Sequence, residues 1–194
     1  ARHPGRTSVL NFDGQTGYGQ LPPDTYFGPT GFTVEAWVYV RTVQIWQRLI
    51  DFGNGPSSDN VIVALSTGAN GMPALQVFNG GTGTAILNVT EPLPLNAWTH
   101  IAVIQDPPAA GSTTALTRIY LNGFLKAQGQ VQVPNRVQRT RNYVARSNWT
   151  GDAFANVAID DLRIWSTSRT PTQLAEDMTN LGYPAGTPGL VAQF

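Results

Sequence analysis

Cysteine is absent from this chain of 194 residues. Disulfides, zinc–thiolate centres and cysteine nucleophiles are excluded with it. Charge is scarce too: charged side chains make up 12% of the chain, about half of the ~25% usual in globular domains. Twelve basic and twelve acidic residues cancel to a formal net charge of zero. A nucleic-acid binder that works by bulk charge needs a concentrated basic field, so that class is not expected. The bases are also lopsided, with Lys126 the single lysine. No run reaches the ~18 consecutive apolar residues of a membrane span, so insertion by a helix is not expected. Ala1-Arg2-His3-Pro4-Gly5-Arg6 lacks both an initiator Met and the apolar segment of a signal peptide. That start, and the abrupt apolar stop at Leu190-Val191-Ala192-Gln193-Phe194, suggest a segment of a longer chain.

Groups for acid–base catalysis are few. Glycoside hydrolysis uses two carboxylates, one to protonate the leaving oxygen and one to attack or activate water. The chain has three Glu, namely Glu35, Glu91 and Glu176, far apart in sequence. Its two His are His3, in the first residues, and His100, inside an expected strand. Neither sits in a nucleophile–base pattern. No phosphate-binding glycine loop follows a strand. The expectation is a protein that is not an enzyme.

What the chain does have is punctuation. Twenty Gly and fourteen Pro separate short runs rich in Val, Ile, Thr and aromatic residues, the pattern of many strands joined by turns. Expected strands are 9–12, 32–40, 48–52, 60–65, 74–78, 85–89, 98–105, 117–121, 124–131, 142–145 and 158–165. In the second, Phe32, Val34, Ala36, Val38 and Val40 share one face. Thr33, Glu35, Trp37 and Tyr39 share the other, read here as the outward face. Asn122-Gly123 predicts a two-residue type I′ hairpin, because both residues tolerate positive φ. Thr170-Pro171-Thr172-Gln173 predicts the start of a short helix running from Pro171 to Leu181. The fold class is therefore all-β: a two-sheet antiparallel jelly-roll sandwich of ten to thirteen strands with one short C-terminal helix. Residues 1–7 read as a tail or linker, 8–183 as the domain, and 184–194 as a linker or the start of a following element.

Four segments, taken in order, carry a family resemblance. They are Leu10-Asn11-Phe12-Asp13-Gly14; Phe32-Thr33-Val34-Glu35-Ala36-Trp37-Val38; Trp98-Thr99-His100-Ile101-Ala102-Val103 with Ile119-Tyr120-Leu121-Asn122-Gly123; and Arg146-Ser147-Asn148-Trp149 with Ile159-Asp160-Asp161-Leu162-Arg163-Ile164-Trp165. Together they resemble the laminin-G-like jelly roll of the concanavalin A-like lectin/glucanase superfamily, over about residues 8 to 181. Glycosidases similar to it carry Glu-x-Asp-x-x-Glu on one strand, which this chain lacks. The resemblance implies an extracellular or cell-surface module within a multidomain protein. It also implies a structural calcium ion (Ca2+) held by Asp160 with oxygens from Asp13 and Gly14. Asp160 reads as in phase with the apolar Leu162 and Ile164, where a carboxylate needs a partner or a cation. The alternative is that Asp160 caps backbone amides at the sheet edge, with Asp161 paired to Arg163. A calcium site of the kind that contacts carbohydrate needs further acids in rim loops, for which Asp51, Asp59 and Asp152 are candidates.

Three further features bear on binding. Trp37 and Tyr39 on one strand face, with Trp46 just beyond it, are candidates for stacking on sugar rings, unless they only cover the sheet. Arg136, Arg139, Arg141 and Arg146 crowd one stretch and suit a sulfated glycan or an acidic partner, or form a solvated loop. Asn88-Val89-Thr90 and Asn148-Trp149-Thr150 are glycosylation sequons, used only in a secreted eukaryotic protein. These readings converge on a recognition or adhesion module for a glycan or an extracellular protein. The alternative is a building block packing against sister domains of a fibre, coat or surface appendage.

Overall fold

The computed structural model describes residues 8–83 and 86–194. The expected tail 1–7, with His3, and the first residue of the strand expected at 85–89 lie outside the described residues. Among the described residues there are fourteen strands and one helix. In chain order they are β1 (Leu10–Asp13), β2 (Gly19–Leu21), β3 (Phe32–Val40), β4 (Arg48–Gly53), β5 (Val61–Ala64), β6 (Ala74–Asn79), β7 (Thr82–Gly83), β8 (Leu87–Asn88), β9 (Trp98–Gln105), β10 (Thr114–Leu121), β11 (Phe124–Gln132), β12 (Arg141–Val144), β13 (Asn156–Trp165), α1 (Pro171–Asp177) and β14 (Leu190–Gln193).

They form the two antiparallel sheets of a sandwich. Sheet A runs β1-β13-β3-β9-β10-β11, with β14 also on β13; sheet B runs β2-β12-β4-β5-β6-β7, with β8 on β6. Alternation explains the core. Val34, Ala36, Val38, Ile101 and Val103 of sheet A meet Phe52, Val61, Val63, Leu75 and Val77 of sheet B, all fully buried. The Asn122-Gly123 turn has φ of 51° and 80°, as a type I′ hairpin requires.

Strand β13 departs from the expected alternation. Val157 and Ile159 face the core before its acidic pair, and Leu162 and Ile164 face it afterwards. The change of parity needs one extra residue, supplied by a β-bulge between Asp160 and Arg163 in which Asp161 takes φ of 51°. Asp160 thus lies opposite Trp37 on the outer face, not in the row of Leu162 and Ile164. The bulge falls where the edge of β13 passes from pairing with β1 to pairing with β14.

The outer face of sheet A is also not outward in effect. Helix α1 and the segment up to Tyr183 lie across it. Leu174 packs on Ala102, Ile104 and Tyr120. Beneath this cover Trp165 Nε1 donates to Glu35 Oε1 at 2.9 Å, and His100 Nε2 lies 3.3 Å from Glu35 Oε2. Arg163 donates to the carbonyls of Asp177 and Asn180 and to Asp161 Oδ1. Asp177 accepts both prongs of Arg169, at 2.8 and 2.7 Å, and the Tyr183 hydroxyl. The face is closed by polar contacts made pair by pair.

Candidate functional site

The outer face of sheet B is covered only in part: the turn carrying Asn148 lies on the buried Asp51, while Gln20 is exposed and Tyr143 and Gln76 are half-buried. Along one transverse row, register places Gln20, Tyr143, Asp51, Ile62 and Gln76 side by side. Over the β4–β6 half of this face lies a groove of about 250 Å³. Its floor is Ile62 and Gln76, and Trp46, Trp149, Phe78, Arg48, Ser57 and Asp152 complete it. Trp149 packs against Phe78 at 5.4 Å between ring centroids. Both indoles are half-buried and flank one guanidinium: Arg48 lies 5.1 Å from the Trp46 ring and 5.9 Å from that of Trp149.

A buried polar cluster fixes these groups. Arg48 Nη2 donates to Asp152 Oδ2 at 2.7 Å, and the Ser147 hydroxyl donates to the same oxygen at 2.7 Å. Ser147 Oγ accepts from the Trp149 amide at 3.0 Å, which fixes the turn carrying that indole. Asp51 accepts from the Asn148 amide, the Asn148 side chain and the Asn60 side chain at 2.8 to 2.9 Å. Burial pushes the Asp51 carboxyl above its ordinary range, against the opposing pull of these donors and of Arg48. Burial likewise lowers the Arg48 guanidinium. Arg48 is 3% exposed; its Nε lies 3.7 Å from Asp51 Oδ2, and its Nη1 is buried without a hydrogen-bond partner. A buried N–H left unpaired costs stability.

Two of the seven described non-glycine residues with positive φ line the groove. Trp46 and Ser57, both lining the groove, hold φ of 50°, and Ala145, beside Arg146, holds 62°. Residues with side chains rarely adopt such angles, and those that do are concentrated at functional sites.

The residues singled out in the sequence scatter differently. Trp46 does line the groove. Trp37 does not: it is 8% exposed, and its Nε1 donates to the Met178 carbonyl beneath the helix. Tyr39 is half-buried on the other sheet, against Trp98. The four arginines do not form one patch. Arg139 is fully buried and donates to the carbonyls of Asp59, Val137 and Asn135; its burial lowers the pKa to about 10. Arg136 and Arg141 are exposed, and Arg146 sits among aromatic rings. Of the two sequons, Asn88 is exposed. Asn148 is buried, with its amide nitrogen donating to Asp51 and Arg141, so it is not presented for glycosylation.

The residues expected to hold calcium are not brought together. Asp13 pairs with Asn156, four residues along β13 from Asp160, so the two acids stand about 13 Å apart along the strand. Ligands of one calcium ion lie within 2.3–2.6 Å of it, so these two acids do not share an ion. The Asp13 carboxylate instead accepts the amides of Gln15, Thr16 and Gly17. Gly14 holds φ of 74°, which accounts for glycine there. Among the described residues no three His, Asp or Glu cluster as metal ligands. Of the acids proposed for rim loops, Asp51 and Asp152 do come together, around Arg48 and Ser147, whereas Asp59 accepts from Gly80 and Asn135 elsewhere.

A family profile described as concanavalin A-like lectin/glucanases superfamily matches residues 13–175. The chain belongs to that superfamily. Solved structures of similar fold include the CBM40 domain of the Ruminococcus gnavus IT-sialidase, bound to α2,3-sialyllactose. It shares 12% identity at a TM-score of 0.68, over 88% of this chain and 96% of that one. Domain 4 of the extracellular arabinanase AbnA from Geobacillus stearothermophilus, in complex with arabinotriose, shares 17% identity at 0.61, over 89% and 82%. A Bacteroides ovatus protein described as a candidate carbohydrate binder shares 22% identity at 0.64, over 95% of this chain but 52% of its own, so the present chain spans about half its length. No curated protein sequence matches significantly. At these identities the structural likeness establishes the shared fold. Trp149 and Phe78 are groove aromatics, and Arg48 the groove cation, that sequence reasoning did not single out for binding. The available signal was an arginine and an aspartate three apart in a strand of Leu, Ile and Phe, where bare charges need partners.

Proposed function

We propose that this chain is a non-catalytic glycan-binding module, working at the cell surface or outside the cell as part of a larger protein, and that its ligand occupies the Trp46–Trp149 groove. The observation that carries this reading is the pair of half-buried indoles flanking one buried guanidinium at the groove. Indole faces suit the apolar C–H face of a pyranose. The likeness to domains solved with sialyllactose and arabinotriose supports the same class of ligand. The carboxylates argue against cleavage. Asp152 is committed to Arg48, Asp51 is enclosed by Asn148 and Asn60, and Glu35 is sealed under the helix on the other sheet. None stands ready as an acid–nucleophile pair.

A glycan array followed by titration of tryptophan fluorescence tests this. Binding should quench indole emission, and Trp149→Ala or Trp46→Ala should each cost about 1–3 kcal/mol of affinity. A parent protein that retains no glycan, or a Trp149→Ala protein that binds as the parent does, would remove the groove from this role. The building-block reading draws on Phe124, 71% exposed at the tip of the β10–β11 hairpin beside exposed Leu125. It expects concentration-dependent association in place of glycan retention.

A further inference from the structure

Arg146 is held by three aromatic rings and makes no ion pair with a described acid. Its guanidinium carbon lies 4.4 Å from the Tyr18 ring, 4.7 Å from Tyr143 and 5.6 Å from Phe154. Arg48, Arg118, Arg163 and Arg169 all pair with aspartates. Arg139 is satisfied by carbonyls and Arg41 by Asn11. Arg146 makes no hydrogen bond or ion pair with any described residue. It is nonetheless half-buried. Ring faces hold a cation through its π-facing surface and leave the edge N–H donors unspent. A guanidinium fixed in this way is pre-organised to meet a planar oxyanion through two parallel hydrogen bonds, having already lost most of its freedom.

Its position gives the anion a context. Tyr143 stands in the transverse row that continues through Asp51 to Ile62 on the groove floor. Two strand spacings, about 10 Å, separate Tyr143 from Ile62 on this outer face. The loop that carries Arg146 also carries Trp149, three residues on. Tyr18, 40% exposed, offers the Arg146 cluster an accessible ring of its own. We propose that Arg146 and Tyr18 form a second subsite that takes an acidic sugar, a pyranose bearing carboxylate or sulfate, in a chain that passes from the groove over the turn of Ser147 and Asn148. The proposal rests on the glycan-binding reading and narrows it to anionic glycans.

The test compares a neutral oligosaccharide with its uronic-acid and sulfated counterparts by calorimetry, with free acetate and free sulfate as controls. The parent should bind at least one acidic form about tenfold more tightly than the neutral one, the scale of a charge-assisted hydrogen bond. Whichever acidic form gains identifies the anion. Arg146→Gln should abolish the preference while leaving neutral binding and the melting temperature in place. Tyr18→Ala, at an exposed position, should weaken acidic binding alone and decides the matter if Arg146→Gln does not fold. Three results overturn the subsite: no preference for acidic forms in the parent, a preference that survives the substitutions, or free anions that bind as well as the sugars. Loss of neutral binding in Trp149→Ala, scored in parallel, tests the groove separately. No binding of any oligosaccharide would overturn groove and subsite together.

Discussion

Asp13 and Asp51 show how one residue type is set to opposite ends of its range by its neighbours. Asp13 is exposed, and three backbone amides in the following turn hold its carboxyl well below the ordinary 3.8. Asp51 is enclosed, and desolvation raises it. For Asp13 the folded pKa lies below the unfolded one. Its contribution to stability is therefore present above 3.8 and is lost as pH falls from there towards the depressed folded value. Asp13→Asn should melt below the parent at neutral pH, with the gap narrowing as pH falls through that window; a gap independent of pH would contradict this. At the residue scale the sequence showed types but not neighbours. Trp46 was recognisable as a stacking residue because it follows a strand in a turn. Trp37, Arg139 and Asn148 looked accessible on the same criteria. What encloses them is the Met178 carbonyl, the carbonyls of Asp59, Val137 and Asn135, and Asp51, all distant in the chain except Val137 and Asn135.

At the scale of elements, legibility followed the strength of the pattern. Strands β3 and β9 match the expected 32–40 and 98–105 residue for residue, because long β-branched alternation leaves little choice. The three-residue β2 and two-residue β7 were missed, since neither is long enough to show a period. The helix begins where the capping box places it: Thr170 Oγ1 accepts from the Gln173 amide, and Gln173 Oε1 accepts from the Thr170 amide. It ends at Asp177, short of the expected Leu181. Trp37 takes the Met178 carbonyl, and Arg163 those of Asp177 and Asn180, so side chains of the sheet replace the next helical turn. A helix this short owes its order to docking. Leu174→Ala, which removes its contact with Ala102, Ile104 and Tyr120, should cost about 2–5 kcal/mol in urea unfolding. Thr170→Ala should cost about 1 kcal/mol. The reverse order would mean that the cap, not the docked leucine, secures the helix.

For the whole molecule, the two sheets divide the work. Sheet A spends its outer face on internal closure: Glu35, His100, Arg163, Trp165 and Asp177 are buried under α1 and the chain that follows it. Sheet B leaves its outer face to the groove, the strained Trp46 and Ser57, and the arginine held by rings. The jelly roll itself was legible from turn spacing and alternation, but this asymmetry was not, because the covering segment arrives 130 or more residues after β3. The asymmetry makes a separable prediction. Trp37→Ala opens a cavity beneath the helix and should destabilise the fold by about 3–5 kcal/mol while leaving the glycan affinity of the folded protein unchanged. Trp149→Ala removes a half-buried ring at the groove and should lower affinity with little change in the melting temperature. Because Trp37 lies on sheet A and Trp149 in the loop over sheet B, with no shared partner, the effects in the double variant should add within about 0.5 kcal/mol. Melting curves and calorimetric titrations of the four proteins give both quantities. Should Trp37→Ala weaken glycan binding in the folded protein as much as Trp149→Ala does, the two faces are coupled through the core, and the division of labour between the sheets does not hold.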